Sequence, residues 1–222
     1  MKVCTDACVL GAAAELVGAA RVLDIGTGTG LLALMAAQRS PAATAIEAVE
    51  LDPAAAAQAA ANVAASPWAN RVVVHAQSLA QFAATRPAPF GHILCNPPFF
   101  RHSLRSPDAA RTTARHSAAD TLSFAELAEF AASFLTPAGR LTVLLPPPEM
   151  QYFEREAVLA GLLVSTQLTL RHRPGSRELR HVTSFTRHAQ PVATRELAIH
   201  DAASEAYSAE FRTLLQDFYL AF

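Results

Sequence analysis

Short apolar runs alternate with longer segments of helical spacing along most of the chain. "RVLDI" (21–25) predicts a buried strand, "GTGTG" (26–30) breaks it, and "LLALMAAQR" predicts the helix that follows. "TAIEAVEL" (44–51) is a second strand, and the alanine-rich helix after it starts at Pro53. "RVVVHA" (71–76) and "GHILC" (91–95) are the third and fourth strands. "SFAELAEFAASFL" (123–135) has helical apolar spacing, and "PAG" turns the chain into a fifth strand, "RLTVLLP" (140–146). A helix near 149–160 precedes two last strands, "LLVSTQLTL" (162–170) and "HVTSFTR" (181–187), joined by the basic hairpin loop "RHRPGSRELR". Strands alternating with helices imply a parallel sheet covered on both faces. The fold expected is therefore α/β: a doubly wound, mostly parallel seven-stranded sheet with an antiparallel C-terminal hairpin.

Composition fits one domain over residues 1–222. Half of the chain is hydrophobic (51%), enough to fill a large core, and no internal repeat or linker divides it. No apolar run reaches the ~18 residues that span a bilayer. The apolar start carries Asp6 and Glu15 and lacks the layout of a signal peptide. Cys4, Cys8 and Cys95 form neither a disulfide pattern nor a metal-ligand spacing, and the histidines show no H-x-x-x-H. These features predict a cytoplasmic protein with no membrane partner and no metal. Net charge is −1, so the whole chain carries no electrostatic signature of nucleic-acid binding. The average hides an asymmetry: residues 99–190 hold 11 basic and 8 acidic side chains, with five of the eight histidines.

The candidate chemistry begins at "DIGTGTG". Gly26, Gly28 and Gly30 at a strand-to-helix junction let the backbone approach a ligand, and the helix start offers unpaired N–H groups. Glu50 ends the next strand, 24 residues after Gly26, where a carboxylate can accept both hydroxyls of a ribose. A glycine-rich turn alone is a weak signal; the strand, the helix and the acidic partner together make it a nucleoside site. The G-x-G-x-G spacing after an acidic residue resembles motif I of the class I, Rossmann-like S-adenosylmethionine-dependent methyltransferases. That resemblance implies S-adenosyl-L-methionine as cofactor, with Asp24 and the turn near its methionine part, Glu50 on its ribose and Leu51 against its adenine.

At the end of the fourth strand stands "NPPFF". Proline has no N–H and fixes φ, so the strand stops at Pro97–Pro98. The tetrad Asn96-Pro97-Pro98-Phe99 is similar to the signature of methyltransferases that act on planar amino groups: adenine N6, cytosine N4 or a glutamine side-chain amide. An exocyclic amine shares its lone pair with its ring and is a poor nucleophile. An asparagine oxygen and the Pro97 carbonyl can each accept one N–H, orienting the nitrogen and dispersing the charge that develops on it. Phe99 offers a face for a flipped-out base, worth ~1–3 kcal/mol of stacking. Cys95 precedes the motif on the strand and reads as a small buried packing residue, not as a thiol nucleophile.

Across nearly its whole length the chain resembles the bacterial tRNA (adenine-N6)-methyltransferases that modify the adenine beside the anticodon of a valine tRNA. The resemblance rests on the opening "MKVCTDACVLGAAA", on "SPWANRVVVHAQ", on "NPPFF" and on the ending "YSAEFRTLLQDFYLAF". It implies a tRNA substrate, and a role at the cofactor's methionine end for Lys2, Thr5 and Asp6. Gly11 and Ala114–Arg115 match as well. The family has a segment before this opening element, whereas this sequence begins at it. Two positions depart from the family pattern. Ser78 stands where a carboxylate usually meets the cofactor's adenine amine, which makes Ser78 the expected contact, without charge assistance. Gly91 replaces an acidic residue. Both departures imply looser cofactor binding.

Two arginine-rich segments remain. "RHSLRSPDAARTTARH" (101–116) follows the tetrad and "RHRPGSRELRH" (171–181) is the hairpin loop. Each alone reads equally as a solvated loop. Together, flanking the expected pocket, they favour contact with RNA phosphates through Arg101, Arg105, Arg115, Arg173 and Arg177. The aromatic ending "FYLAF" (218–222) reads as a segment docked on the core. Two other functions stay open at this point: methylation of a protein glutamine amide, and a cofactor-binding RNA module without turnover.

Overall fold

The computed structural model describes residues 4–97 and 122–220. Among them, eight strands form one sheet in the order β3-β2-β1-β4-β5-β7-β6-β8. In chain order these are β1 (Arg21–Ile25), β2 (Ala45–Glu50), β3 (Val72–Ala76), β4 (Phe90–Cys95), β5 (Leu135–Leu145), β6 (Leu163–Arg171), β7 (Glu178–Thr186) and β8 (Ala193–Ala198). β1 lies between β2 and β4, all parallel, with Asp24 opposite Ala48 and Leu94. β7 runs antiparallel to both β5 and β6. Leu145, the last residue of β5, pairs with His181 near the start of β7. The β6–β7 loop therefore projects from the same end of the sheet as the carboxyl ends of β1, β2, β4 and β5.

Each strand sends alternate residues to opposite faces, which is why short uninterrupted apolar runs mark them. Val22, Leu94 and Leu144 enter one buried cluster; Leu23, Ile93 and Val143 enter the other. The first cluster is closed by α1 (Thr5–Ala13), α2 (Leu31–Arg39), α3 (Pro53–Ala64) and α7 (Ala209–Leu215). The second is closed by α4 (Leu79–Ala84), α5 (Phe124–Phe134) and α6 (Pro147–Leu159). Local chemistry sets the helix starts. Asp52 accepts the Ala55 N–H at 2.8 Å ahead of Pro53, and Ser78–Gln81 and Ser123–Glu126 form reciprocal capping boxes. Among the described residues no helix is long and apolar enough to cross a membrane, and no group of three His, Cys, Asp or Glu is placed to hold a metal ion.

The expected doubly wound sheet with its antiparallel hairpin is present, with one strand more than the seven expected. β8 pairs parallel to β6 at the sheet edge, and most of its residues are exposed, so it lacks the apolar alternation that marks the other strands. β5 also begins earlier than expected. Its pairing jumps from Phe90–Leu135 to His92–Arg140, so residues 136–139 loop out of a strand that starts at Leu135. α1 had no amphipathic signature because it is buried nearly all round, from Ala7 to Ala12. The aromatic ending docks as expected: Phe218 and Tyr219 pack on the first cluster.

Gly91 corrects an expectation. It lies at the amino-terminal end of β4, opposite to the end that carries "NPPF", so its lost carboxylate does not bear on the cofactor. Its role is close packing: a Cβ there would sit 2.8 Å from the Ala19 Cα. Gly91→Ala should lower unfolding free energy by about 1–3 kcal/mol through overpacking. Urea denaturation would show that loss, and calorimetry should show unchanged S-adenosylmethionine affinity. A destabilised variant with weakened binding would return Gly91 to the cofactor.

Candidate active site

The glycine turn between β1 and α2 is built on positive φ. Gly26, Gly28 and Gly30 stand at +70°, +59° and +84°, which L side chains rarely adopt. A Cβ at Gly26 would meet nothing within 4 Å, so the backbone conformation, not crowding, demands glycine there. Gly30 is the N-cap of α2 in the left-handed conformation.

Glu50, the last residue of β2, is pinned over this turn. One carboxylate oxygen accepts the Gly28 N–H at 2.8 Å and the other accepts the Asp52 N–H at 2.9 Å. Each oxygen keeps a lone pair, so the carboxylate can receive two vicinal hydroxyls in a fixed orientation. Leu51 follows it and is 42% exposed, a large apolar side chain left bare where a flat ring would cover it.

Asp24 lies beneath the turn and is fully buried. Its Oδ2 accepts the Thr27 hydroxyl at 2.5 Å and the Ala33 N–H at 3.1 Å, while Oδ1 has no hydrogen-bond partner among the described residues. Burial pushes its pKa up to about 7 against those two hydrogen bonds. Asp24 thus holds the turn from below and does not line the adjoining cavity.

That cavity has a volume of about 480 Å³. Gly26, Glu50 and Leu51 form one side, and Cys95 and Pro97 the end of β4. Gln77, Ser78 and Leu79 come from the start of α4; Glu126, Glu129, Phe130 and Ser133 come from α5. The α5 wall was not anticipated from sequence. The Ser123–Glu126 capping box announces the helix, but only the winding of the sheet brings its face to the glycine turn. Ser78 does line the cavity, but its oxygen accepts the Gln81 N–H at 3.1 Å as a helix cap.

Asn96 and Pro97 sit at the carboxyl end of β4, with Asn96 Oδ1 buried and without a hydrogen-bond partner among the described residues. A buried amide oxygen left unpaired costs about 1–3 kcal/mol, so it calls for a donor from a ligand. Cys95, beside it, is fully buried, and burial raises its thiol pKa well above the ordinary value, as a packing residue requires.

The other expected site residues are distributed as follows. Thr5 and Asp6 open α1; Asp6 pairs with Arg180 of β7 at 2.9 Å, and Thr5 shares a side-chain hydrogen bond with Tyr219. That pairing places the start of α1 at the site end of the sheet. Arg177 is exposed in the β6–β7 loop. Arg173 is engaged within the protein, donating to the Asp201 carbonyl at 2.9 Å and to the Ser204 carbonyl and pairing with Glu205. Lys2, Pro98, Phe99, Arg101, Arg105 and Arg115 lie outside the described residues.

Two outcomes follow from this geometry. Glu50→Ala should weaken S-adenosylmethionine binding roughly 10-fold or more, the scale of a lost hydrogen bond to a charged group, with the glycine turn loosened; isothermal calorimetry at wild-type affinity would refute the ribose assignment. The second concerns pH. Unfolded, Asp24 loses its proton near pH 4; folded, it keeps the proton to about pH 7. Its contribution to stability is therefore full below the lower value, falls as pH rises between the two, and levels off above. Urea unfolding of the ligand-free protein should show a larger stability loss from pH 5 to pH 8 in wild type than in Asp24→Asn. Equal losses would remove Asp24 as the cause.

Comparison with known proteins gives the family and the fold. Residues 13–154 match the family model described as "Methyltransferase small domain". The chain is 41% identical, over 99% of its length and 88% of the relative's, to a tRNA1(Val) (adenine(37)-N6)-methyltransferase of Yersinia pestis (strain Pestoides F). The counterpart from Yersinia pseudotuberculosis serotype O:1b is equally similar. Among solved structures, a predicted O-methyltransferase from Agrobacterium tumefaciens superposes with a TM-score of 0.68 over 95% of both chains at 19% identity. A putative RNA methyltransferase from Pyrococcus horikoshii gives 0.57 over 84% of this chain and 81% of that one at 15% identity. Those two show the fold alone. The family model and the 41% identity over nearly the whole chain carry the assignment: this chain belongs to the tRNA1(Val) (adenine(37)-N6)-methyltransferase family.

Proposed function

We propose that the protein transfers a methyl group from S-adenosylmethionine to the exocyclic N6 amine of an adenine in tRNA, the adenine beside the anticodon of a valine tRNA. The observation that carries the chemistry is Asn96 Oδ1, buried and without a hydrogen-bond partner among the described residues, next to Pro97 of the cavity wall. The substrate class follows from family membership.

The residues present fit the cofactor. Glu50 receives the ribose hydroxyls, held by Gly28 and Asp52; Leu51 covers the adenine; and the Gly26–Gly30 turn lets the backbone approach closely. When bound, S-adenosylmethionine supplies an electrophilic methyl group on a sulfonium. The chain's own task is to present a weak nucleophile. Asn96 Oδ1 and the Pro97 carbonyl accept the two N–H bonds of the adenine amine, hold its nitrogen in line and disperse the positive charge that builds there. The prolines bring no N–H of their own to compete. Phe99 stacks the extruded base, and Arg177 with the arginines of segment 101–116 meets phosphates. No base is needed to ionise the amine before transfer; the methylated nitrogen then releases one proton to water, with Cys95, a buried neutral thiol, taking no part.

Asn96→Ala should lower kcat by about 100-fold or more, the usual loss for one preorganised partner of transition-state charge. S-adenosylmethionine affinity should stay within about twofold, since the interaction forms on the substrate amine. The assay is transfer of labelled methyl to tRNA with parallel calorimetry. An unchanged rate would exclude the clamp, and label that enters protein but never tRNA would exclude the substrate.

A further inference from the structure

The cavity wall opposite Glu50 has a polar character that the catalytic account leaves unused. Adenine presents an exocyclic amine as a donor, and Ser78, the expected acceptor, already accepts the Gln81 N–H. Its position at the N-cap of α4 fixes that oxygen on its own helix. The α5 wall instead offers two carboxylates, Glu126 and Glu129. Glu126 is turned back to the start of its own helix: its Oε2 accepts both the Ser123 N–H at 2.8 Å and the Ser123 hydroxyl at 2.7 Å, and these bonds lower its pKa. Glu129 follows at i+3, on the same face of the helix, beside Phe130 and one turn before Ser133, and all of these residues line the cavity. Glu129 stands one turn further along α5 than Glu126, away from the capping box.

We propose that Glu129 is the residue that reads the cofactor's adenine, accepting a hydrogen bond from its exocyclic amine in place of the carboxylate missing at Ser78. A carboxylate accepts such a bond with charge assistance, and Phe130 beside it supplies an apolar edge to the purine. Cofactor specificity then sits on α5 and not at the start of α4. The inference rests on the cavity being the cofactor's.

The test is calorimetric binding of S-adenosylhomocysteine and of its purine analogue lacking the amine, to wild type and to Glu129→Ala, Glu129→Gln, Gln77→Ala and Ser78→Ala. Wild type should prefer the amine form by about tenfold or more, the scale of a hydrogen bond to a charged acceptor. In Glu129→Ala the preference should fall to within about twofold, with the analogue bound as in wild type. Glu129→Gln, which keeps an acceptor oxygen without charge, should retain part of it. Gln77→Ala and Ser78→Ala should keep the full preference. Undiminished preference in Glu129→Ala, or a collapse in Gln77→Ala or Ser78→Ala instead, overturns the assignment to Glu129 while leaving the cofactor site intact. Failure of wild type to bind S-adenosylhomocysteine at all would overturn the site itself, and the inference with it.

Discussion

The hydrogen bond from the Gly28 N–H to the Glu50 carboxylate joins two strand ends that are adjacent in the sheet but 22 residues apart in the chain. It can form only because β1 and β2 pair in parallel and in register, and because the three glycines bend the turn toward β2 at positive φ. Asp24 secures the same turn from the buried side through Thr27 and Ala33. A carboxylate below and a carboxylate above thus hold one loop. The lower one is shielded and difficult to ionise; the upper one lines the cavity. This division explains why two acidic residues of similar sequence prominence have different roles.

From that turn the remaining parts follow by topology. β4 lies beside β1, so the break at Pro97 falls at the same end of the sheet as Gly26, and both residues line the cavity. The parallel strands end together, which is why the glycine turn, Glu50 and the end of β4 share one edge of the sheet. The antiparallel pairing of β7 brings the β6–β7 loop to that edge, along with Arg177. α1 is held there by Asp6 and Arg180.

Much of this was legible in the sequence because the signals were local. Buried parallel strands show as apolar runs, the glycines show their turn, and Pro97–Pro98 shows a strand end. Glu50 was readable from its spacing after Gly26. The parts that were not legible have no local signal. α1 is buried on every side and shows no stripe, and β8 is an exposed edge strand whose partner, β6, is the only thing that makes it a strand. The pairing of Arg173 with Glu205, 32 residues away in the chain, also has no local signal. The Gly91 packing against Ala19 was equally invisible, since the close approach is tertiary. The α5 wall, with Glu126 and Glu129, required the handedness of the winding and not only the identity of the helix.

The central claim is that the clamp at the end of β4 serves an adenine amine in tRNA. It is tested most directly by incubating the protein with unmodified tRNA and labelled S-adenosylmethionine, then digesting to nucleosides and to anticodon-loop fragments for mass spectrometry. The account predicts the label in N6-methyladenosine, in the fragment of valine tRNA that holds the adenine beside the anticodon. Label in any other nucleoside, or in glutamine of protein with none in tRNA, would contradict it.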